Sequence, residues 1–272
     1  TWGTLHDHAV RSLADREHQG RTGLASGCTS LRTKARASGH ESYDGPMPTI
    51  SVVSMKGGVG KTTVTLGIAS AAWNRGLRVL VIDLDPQANA TMGLGVDNPP
   101  FTTNDVLADA RPGIAVDAIL PTPWGANVHV IASERSLEHR NAREGAYSEL
   151  RMKSALANVP RTYDIVLIDC PPSLGELTRN ALSASDAALV VTEPGYFALH
   201  GAQQAVEAVD VIRSSTNPAI RTSTILMNRA RTTVAEHRMR IQELQDAFGP
   251  LVSPVMVPER NAIPQSEGAG IP

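Results

Sequence analysis

A glycine-rich loop beginning at residue 56 constrains this chain more than any other feature. The apolar run 50–55 leads into Lys56-Gly57-Gly58-Val59-Gly60-Lys61-Thr62-Thr63, and a segment with helical periodicity follows over 62–75. Strand, glycine loop and helix amino terminus stand in the order that phosphate binding requires. Glycines let backbone N–H groups turn toward an anion, and the helix dipole adds to the attraction. The sequence therefore predicts that all eight loop residues bind a nucleotide.

Two side chains of this loop have specific expected roles. Lys61 would reach the β- and γ-phosphates, and the Thr62 hydroxyl would ligate Mg²⁺. The common pattern GxxxxGK[ST] is not met, because its first glycine would fall at Met55. An additional lysine, Lys56, is present instead and gives the deviant form KGGxGK[ST]. A flexible glycine turn is the alternative, and it is disfavoured by the lysine-threonine pair and by the flanking strand and helix patterns.

Acidic residues follow two later apolar runs. Asp83 and Asp85 stand at the end of one run, and their spacing places both on one face at the carboxyl edge of a sheet, although an ordinary strand-end turn is the alternative. Asp169 ends the other run and precedes Pro171-Pro172, which is the form of a Walker B segment. We expect Asp169 to hold Mg²⁺ through a water molecule, and the prolines to stiffen a loop that senses the γ-phosphate.

Taken together, these motifs resemble the ParA/MinD family of P-loop ATPases. The pattern D-x-D-P-Q-x-N around Asp85 favours the ParA branch over MinD, and D-x-P-P-S begins at Asp169. The resemblance implies Mg²⁺-dependent ATP hydrolysis by a homodimer that ATP joins face to face. It implies catalytic roles for three residues: Lys61 on the phosphates, Lys56 on phosphates bound by the other protomer, and Asp85 on the attacking water. A solvated surface lysine is the alternative for Lys56.

Two residues near the end of the chain match the family less specifically. Asn228 ends the predicted strand 222–228, where many family members place an asparagine whose amide reads adenine. Pro258 matches a family proline beside the base. A cap or turn residue is the alternative for Asn228, and both residues enter the expected nucleotide site.

The charge balance excludes a uniformly basic nucleic-acid coat, because 25 Lys and Arg stand against 27 Asp and Glu for a net charge of −2. Ten aromatic residues, 3 Trp, 4 Tyr and 3 Phe, are too few to stack successive bases. Residues 211–240 nevertheless carry six arginines and one acid, a local charge of +5. Four of them lie around one helix start and predict contacts to DNA phosphates: Arg229, Arg231, Arg238 and Arg240. A solvated helix face is the alternative. Arg231 lies in a stretch that resembles the D-A-R-T of Soj-type ParA proteins, whose arginine contributes to non-specific DNA binding.

Short β-branched runs alternate with amphipathic stretches from residue 47 onward, which predicts an α/β fold with a mostly parallel central sheet and helices on both faces. The predicted strands are 50–55, 79–83, 128–132, 165–169, 187–192, 222–228 and 252–257. The predicted helices are 62–75, 147–157, 177–184, 201–214 and 234–248.

The chain divides at its first methionine, Met47. We expect residues 1–46, which are poor in apolar side chains, to be a disordered tail or a non-native extension, with a genuine flexible arm as the alternative. Residues 47–272 form the expected ATPase domain, which would lack its last helices. Cys28 and Cys170 predict neither a disulfide framework nor a zinc site, and no apolar run is long enough to span a membrane.

The sequence thus predicts a cytoplasmic, nucleoid-associated ParA-type ATPase for chromosome or plasmid partitioning. Its expected partners are a second copy of itself, non-specific double-stranded DNA and a ParB-type centromere-binding protein that stimulates hydrolysis, with no membrane. One alternative is a MinD-like or other cargo-positioning ATPase. The other is a metabolic P-loop enzyme such as a dethiobiotin-synthetase-like ligase, which could work without Lys56.

Overall fold

The computed structural model describes residues 47–142, 145–159 and 162–260. The predictions for residues 1–46 and for the last twelve residues lie outside this described part. The strands are β1 Thr49–Val53, β2 Val79–Asp83, β3 Ile119–Thr122, β4 Gly125–Ile131, β5 Ile165–Asp169, β6 Ala187–Thr192 and β7 Arg221–Met227. The α-helices are α1 Lys61–Trp73, α2 Asn89–Gly93, α3 Thr103–Asp109, α4 Arg151–Leu156, α5 Glu176–Ala184, α6 Ala198–Arg213 and α7 Ala235–Phe248.

All seven strands form one sheet in the order β3-β4-β2-β5-β1-β6-β7, in which only β3 runs antiparallel to its neighbour. Every residue of β1, β2, β5 and β6 is buried, because helices cover both faces of the sheet centre. One apolar core lies between the sheet and α1, and the other lies under α4 to α7. The predicted α/β class with a mostly parallel sheet is confirmed.

This topology brings the motifs to one edge. β1 lies between β5 and β6, and the loop that follows β1 therefore rises beside the carboxyl ends of both neighbours. Asp83 and Asp169 are paired in register across β2 and β5. The crevice at the carboxyl ends of parallel strands is where α/β folds bind ligands.

The predicted strand 252–257 is wrong. The chain there makes a 3₁₀ turn, Gly249–Leu251, and then runs beside β7 with isolated bridges from Val252 to Ile225 and from Pro258 to Ala230. Pro254 and Pro258 lack the N–H groups that a continuous ladder needs.

The predicted helix 147–157 is also shorter than expected. Tyr147 has a φ of 65°, Ser148–Leu150 form a 3₁₀ turn, and only Arg151–Leu156 are α-helical. The sequence interpretation missed the antiparallel strand β3 and the short helices α2 and α3. Thr102 and Asp105 form a capping box at α3, which is a signal that could have located that helix.

Candidate functional site

The glycine loop joins β1 to α1 and follows a left-handed path at two positions. Gly58 and Gly60 have φ values of 79° and 86°, which side-chain-bearing residues rarely adopt. A Cβ on Gly60 would lie 2.2 Å from the amide nitrogen of Asn228, so a side chain there would have to displace that amide. No side chain caps α1 after Gly60. The loop therefore turns into the start of α1 as an anion cradle requires.

The side chains expected to hold phosphate and Mg²⁺ meet at this loop. The Thr62 hydroxyl donates to the Asp169 carboxylate with an oxygen–oxygen distance of 2.7 Å, and the Thr65 hydroxyl donates to the other Asp169 oxygen at 3.1 Å. Lys61 is buried, and its positive charge acts on Asp169. Residues more than 100 positions apart in sequence thus form one compact polar centre.

The electrostatics of this centre are unfavourable for bare carboxylates. Burial, and then the charge of Asp169, raise the pKa of Asp83. Burial also raises the pKa of Asp169, while the Thr62 hydrogen bond and the Lys61 charge act in the opposite direction. Two buried carboxylates beside each other favour the arrival of a cation.

Asp83 and Asp85 have different surroundings, although the sequence predicted that both face the same crevice. Asp83 accepts hydrogen bonds from the backbone N–H and the hydroxyl of Thr91, both at 2.8 Å, and holds the turn after β2 together. Asp85 is buried beside Asp169, whose pKa its charge raises, and one of its oxygens accepts the N–H of Gln87 at 3.0 Å. Both carboxylates therefore lie close to Asp169, but both oxygens of Asp83 accept hydrogen bonds within this turn.

The additional lysine lies on the open side of the loop. The Lys56 side chain is 58% exposed, and its ammonium is paired with the carboxylate of Glu193, just beyond the end of β6. Glu193 was missed by sequence reasoning, because nothing in its local sequence links it to Lys56.

The turn after β7 lies against the loop from the other side. The buried Asn228 donates its side-chain amide to the Val59 carbonyl at 2.8 Å, and Arg229 donates to the Gly58 carbonyl at 2.8 Å. Pro258 is exposed and bridges to Ala230 in the same turn. The two predicted base-contacting residues therefore lie at the same edge as the glycine loop.

The four predicted DNA-contacting arginines differ in their exposure and in the groups that they contact. Arg229 is engaged with the loop, Arg231 is exposed and paired with Glu259, and Arg238 is exposed and donates to the carbonyls of Thr232 and Thr233. Arg240 is only 16% exposed, because it is paired with Glu243 and lies over the ring of Tyr196.

Comparisons with known proteins agree with this geometry. A family model described as an AAA domain matches residues 47–222. The chain is 33% identical over 233 residues to the chromosome partitioning protein ParA of Myxococcus xanthus, covering 82% of this chain and 79% of that protein. It is 32% identical over 233 residues to the sporulation initiation inhibitor protein Soj of Bacillus subtilis, covering 82% and 88%. This chain belongs to the ParA family.

The ParA-family fold is also similar to that of a solved enzyme. The structure of cobyrinic acid a,c-diamide synthase from Mycobacterium smegmatis, with bound ADP and magnesium, matches with a TM-score of 0.70 and 27% identity, covering 83% of this chain and 93% of the synthase chain.

The Thr62 hydroxyl and the Asp169 carboxylate of this ParA-family chain are oxygen donors, which fit Mg²⁺. In residues 47–142, 145–159 and 162–260, no group of three or more His, Cys, Asp or Glu side chains is arranged to hold a metal ion. Mg²⁺ needs no such cluster, because it keeps waters and takes further oxygens from the phosphates. None of the helices in these described ranges has the length and apolar character that crossing a membrane requires.

Proposed function

We propose that this ParA-family chain is a Mg²⁺-dependent ATPase that partitions a chromosome or a plasmid. The observation that carries the proposal is a phosphate loop with two lysines, in which Lys61 is buried beside Asp169 and Lys56 remains exposed at the surface. A single lysine would suffice for a nucleotide held within one protomer. The second one would act on a nucleotide bound in another protomer.

ATP and Mg²⁺ are the proposed cofactors. Residues 56–63 would receive the phosphates on backbone N–H groups, with Lys61 neutralising charge near the γ-phosphate. The Thr62 hydroxyl and the Asp169 carboxylate, 2.7 Å apart, would hold Mg²⁺. When bound, the metal neutralises negative charge on the phosphates.

Asp85 and Lys56 are the proposed catalytic side chains outside the cradle. Asp85 is buried beside Asp169, and its fixed hydrogen bond from Gln87 leaves its second oxygen available to orient an attacking water. Lys56 would leave Glu193 and reach the phosphates of the nucleotide in a second protomer. Two such contacts, one from each protomer, would make the face-to-face dimer conditional on ATP.

Non-specific double-stranded DNA is a proposed binding partner. Residues 211–240 have a local charge of +5 in a chain whose net charge is −2, and two exposed arginines of this segment, Arg231 and Arg238, suit contacts to phosphates. A few contacts from one protomer bind weakly, whereas a dimer doubles them and joins them. The ATP-bound dimer would hold DNA in the cytoplasm, at the nucleoid, and hydrolysis stimulated by a ParB-type partner would release it.

The likeness to cobyrinic acid a,c-diamide synthase supports a second candidate, a metabolic P-loop ligase. Such an enzyme couples ATP use to a small carboxylic or amine substrate and does not need Lys56. The arginine-rich segment and the 33% identity to a chromosome partitioning protein favour the first candidate.

Phosphate release and DNA retention of the full chain test the proposal together. We expect slow release with Mg²⁺ and ATP, stimulation by DNA together with a ParB-type amino-terminal peptide, and DNA retention only with ATP. Lys61→Ala should abolish release, and Lys56→Ala should abolish DNA retention while monomers still bind nucleotide. DNA binding that does not depend on ATP would contradict the proposal that only the ATP-bound dimer holds DNA. Release that requires a small carboxylic or amine substrate would favour the ligase.

A further inference from the structure

Two donors from the turn after β7 fix consecutive carbonyls of the phosphate loop. Asn228 donates to the Val59 carbonyl and Arg229 to the Gly58 carbonyl, each at 2.8 Å. The fit is close, since a Cβ on Gly60 would collide with the Asn228 amide at 2.2 Å. The loop is therefore held by specific polar contacts from a strand two positions away in the sheet.

The backbone conformation of Arg229 is unfavourable, so its contact with the Gly58 carbonyl is kept at a cost in conformational energy. Its φ of 53° lies in the left-handed region, which glycine and asparagine occupy readily and arginine does not. The side chain is exposed, so burial of apolar surface does not compensate for the strain. Strain that persists at a ligand-binding loop is a sign of a functional constraint.

The geometry of the peptide group connects these contacts to the phosphate side of the loop. The carbonyl of residue 58 and the N–H of residue 59 share one planar trans peptide and point in opposite directions, as do the carbonyl of residue 59 and the N–H of residue 60. Because the Gly58 and Val59 carbonyls are held facing the turn after β7, the N–H groups of Val59 and Gly60 face the opposite side of the loop, where the phosphates are expected to bind. A donated hydrogen bond also polarises each peptide and strengthens its N–H as a donor.

We propose that Arg229 and Asn228 are positioning residues of the phosphate site, which act through the Gly58 and Val59 peptides and not by contacting DNA or adenine. The inference rests on the proposed function for its ligand, a nucleoside di- or triphosphate. It is an alternative to the roles that the sequence predicted for both side chains, and those roles stay predictions. It also places Arg229, one of the six arginines between residues 211 and 240, in direct contact with the nucleotide loop.

The decisive variant is Arg229→Gly, because glycine relieves the strained φ while it removes the donor. We expect the melting temperature of the nucleotide-free protein to stay the same or rise, and the dissociation constant for fluorescent ADP and ATP with Mg²⁺ to increase about five-fold. Arg229→Lys keeps a cationic donor and should restore part of the affinity. Arg111→Ala, which removes an exposed arginine paired with Asp109 and Asp117, should leave both measurements unchanged.

Several outcomes would overturn the inference. Unchanged nucleotide affinity in Arg229→Gly, or affinity and melting temperature that fall together, would show no role or a purely structural one. A wild-type chain that binds no nucleotide would instead overturn the proposed function and this inference with it.

Asn228 is tested through base selectivity. Asn228→Ala should weaken the binding of ATP and the binding of GTP by the same factor, because the phosphates are common to both nucleotides. A loss confined to ATP would assign Asn228 to adenine and overturn its positioning role. If Asn228→Ala does not fold, Arg229→Gly still decides the proposal.

Discussion

The ammonium of Lys56 is paired with the carboxylate of Glu193 across the gap between the glycine loop and the end of β6. In this arrangement the lysine is occupied within its own protomer. To reach a nucleotide in a second protomer it has to leave Glu193. An exposed pair of this kind contributes about 0–1 kcal/mol, so it would tune dimerisation and not prevent it.

Glu193→Gln is therefore expected to promote ATP-dependent dimerisation. Removing the carboxylate frees Lys56 in both protomers, and the protein concentration at half-dimerisation with ATP and Mg²⁺ should fall by up to about 30-fold. Sedimentation at several protein concentrations measures this. Glu207→Gln, at a carboxylate on α6 that accepts a hydrogen bond from Gln203, is the matched control and should behave as wild type. Weaker dimerisation of Glu193→Gln would contradict the prediction.

Gly60→Ala should destabilise the fold more than the equivalent change at Gly76. Both glycines have positive φ, 86° and 76°, and both variants incur the same backbone strain of about 1 kcal/mol. Only at Gly60 would the new Cβ meet another group, the Asn228 amide at 2.2 Å, whereas nothing lies within 4 Å at Gly76. Denaturant unfolding without nucleotide compares the two. Equal losses in the free energy of unfolding would show that Asn228 moves aside without cost.

Much of the site follows from local sequence. The glycine loop, Lys61 and Thr62 are recognisable because strand, loop and helix are contiguous, and Asp169 because it ends an apolar run. These motifs can be recognised without knowing which residues pack against each other in the fold. The parallel sheet then brings them together, because carboxyl ends of neighbouring strands share an edge.

The contacts that hold the loop from outside could not be predicted in this way. Lys56 and Glu193 are 137 positions apart, and Arg229 and Gly58 are 171 apart. No spacing rule connects such residues, since their proximity depends on the order of the strands in the sheet. The predicted strand 252–257 is wrong for a different reason. An apolar run indicates burial, and a buried segment need not form the continuous hydrogen-bond ladder of a strand.

Stability should fall in mild acid through His129 on β4. Burial, and then the charge of Arg78, lower the pKa of His129, whose ring packs edge-on against Tyr163. The unfolded chain, with an ordinary pKa of about 6.5, therefore binds the proton more readily, and folded stability decreases as the pH drops below that value. His129→Phe keeps an aromatic ring and should flatten this decrease.

Melting temperatures between about pH 5 and 8 measure the effect of that substitution. His200→Gln, at an exposed position on α6, is the control and should retain the wild-type slope. A His129→Phe profile parallel to that of the wild type would show that other groups cause the acid sensitivity.

Arg240→Ala should cost stability, because this arginine is built into the fold. Its guanidinium donates to both Glu243 oxygens, at 3.1 and 3.0 Å, and lies 5.2 Å from the centre of the Tyr196 ring. We expect a loss of about 1–2 kcal/mol in the free energy of unfolding. Arg238→Ala removes an exposed arginine from the same helix and should change it by less than about 0.5 kcal/mol. Similar values for both variants would contradict the distinction.

Arg231 is expected to contact DNA phosphate in competition with Glu259. Its side chain is 58% exposed and its guanidinium is paired with that carboxylate, so the two partners, glutamate and phosphate, would exchange on binding. With ATP present, Arg231→Ala should weaken DNA binding at every sequence and reduce the slope of log affinity against log salt by about 0.9 per protomer. Glu259→Gln should tighten DNA binding, because the arginine no longer has to leave a carboxylate. Fluorescence anisotropy with labelled duplexes at several salt concentrations measures both variants. An unchanged salt slope in Arg231→Ala, or weaker binding by Glu259→Gln, would remove Arg231 from the DNA surface.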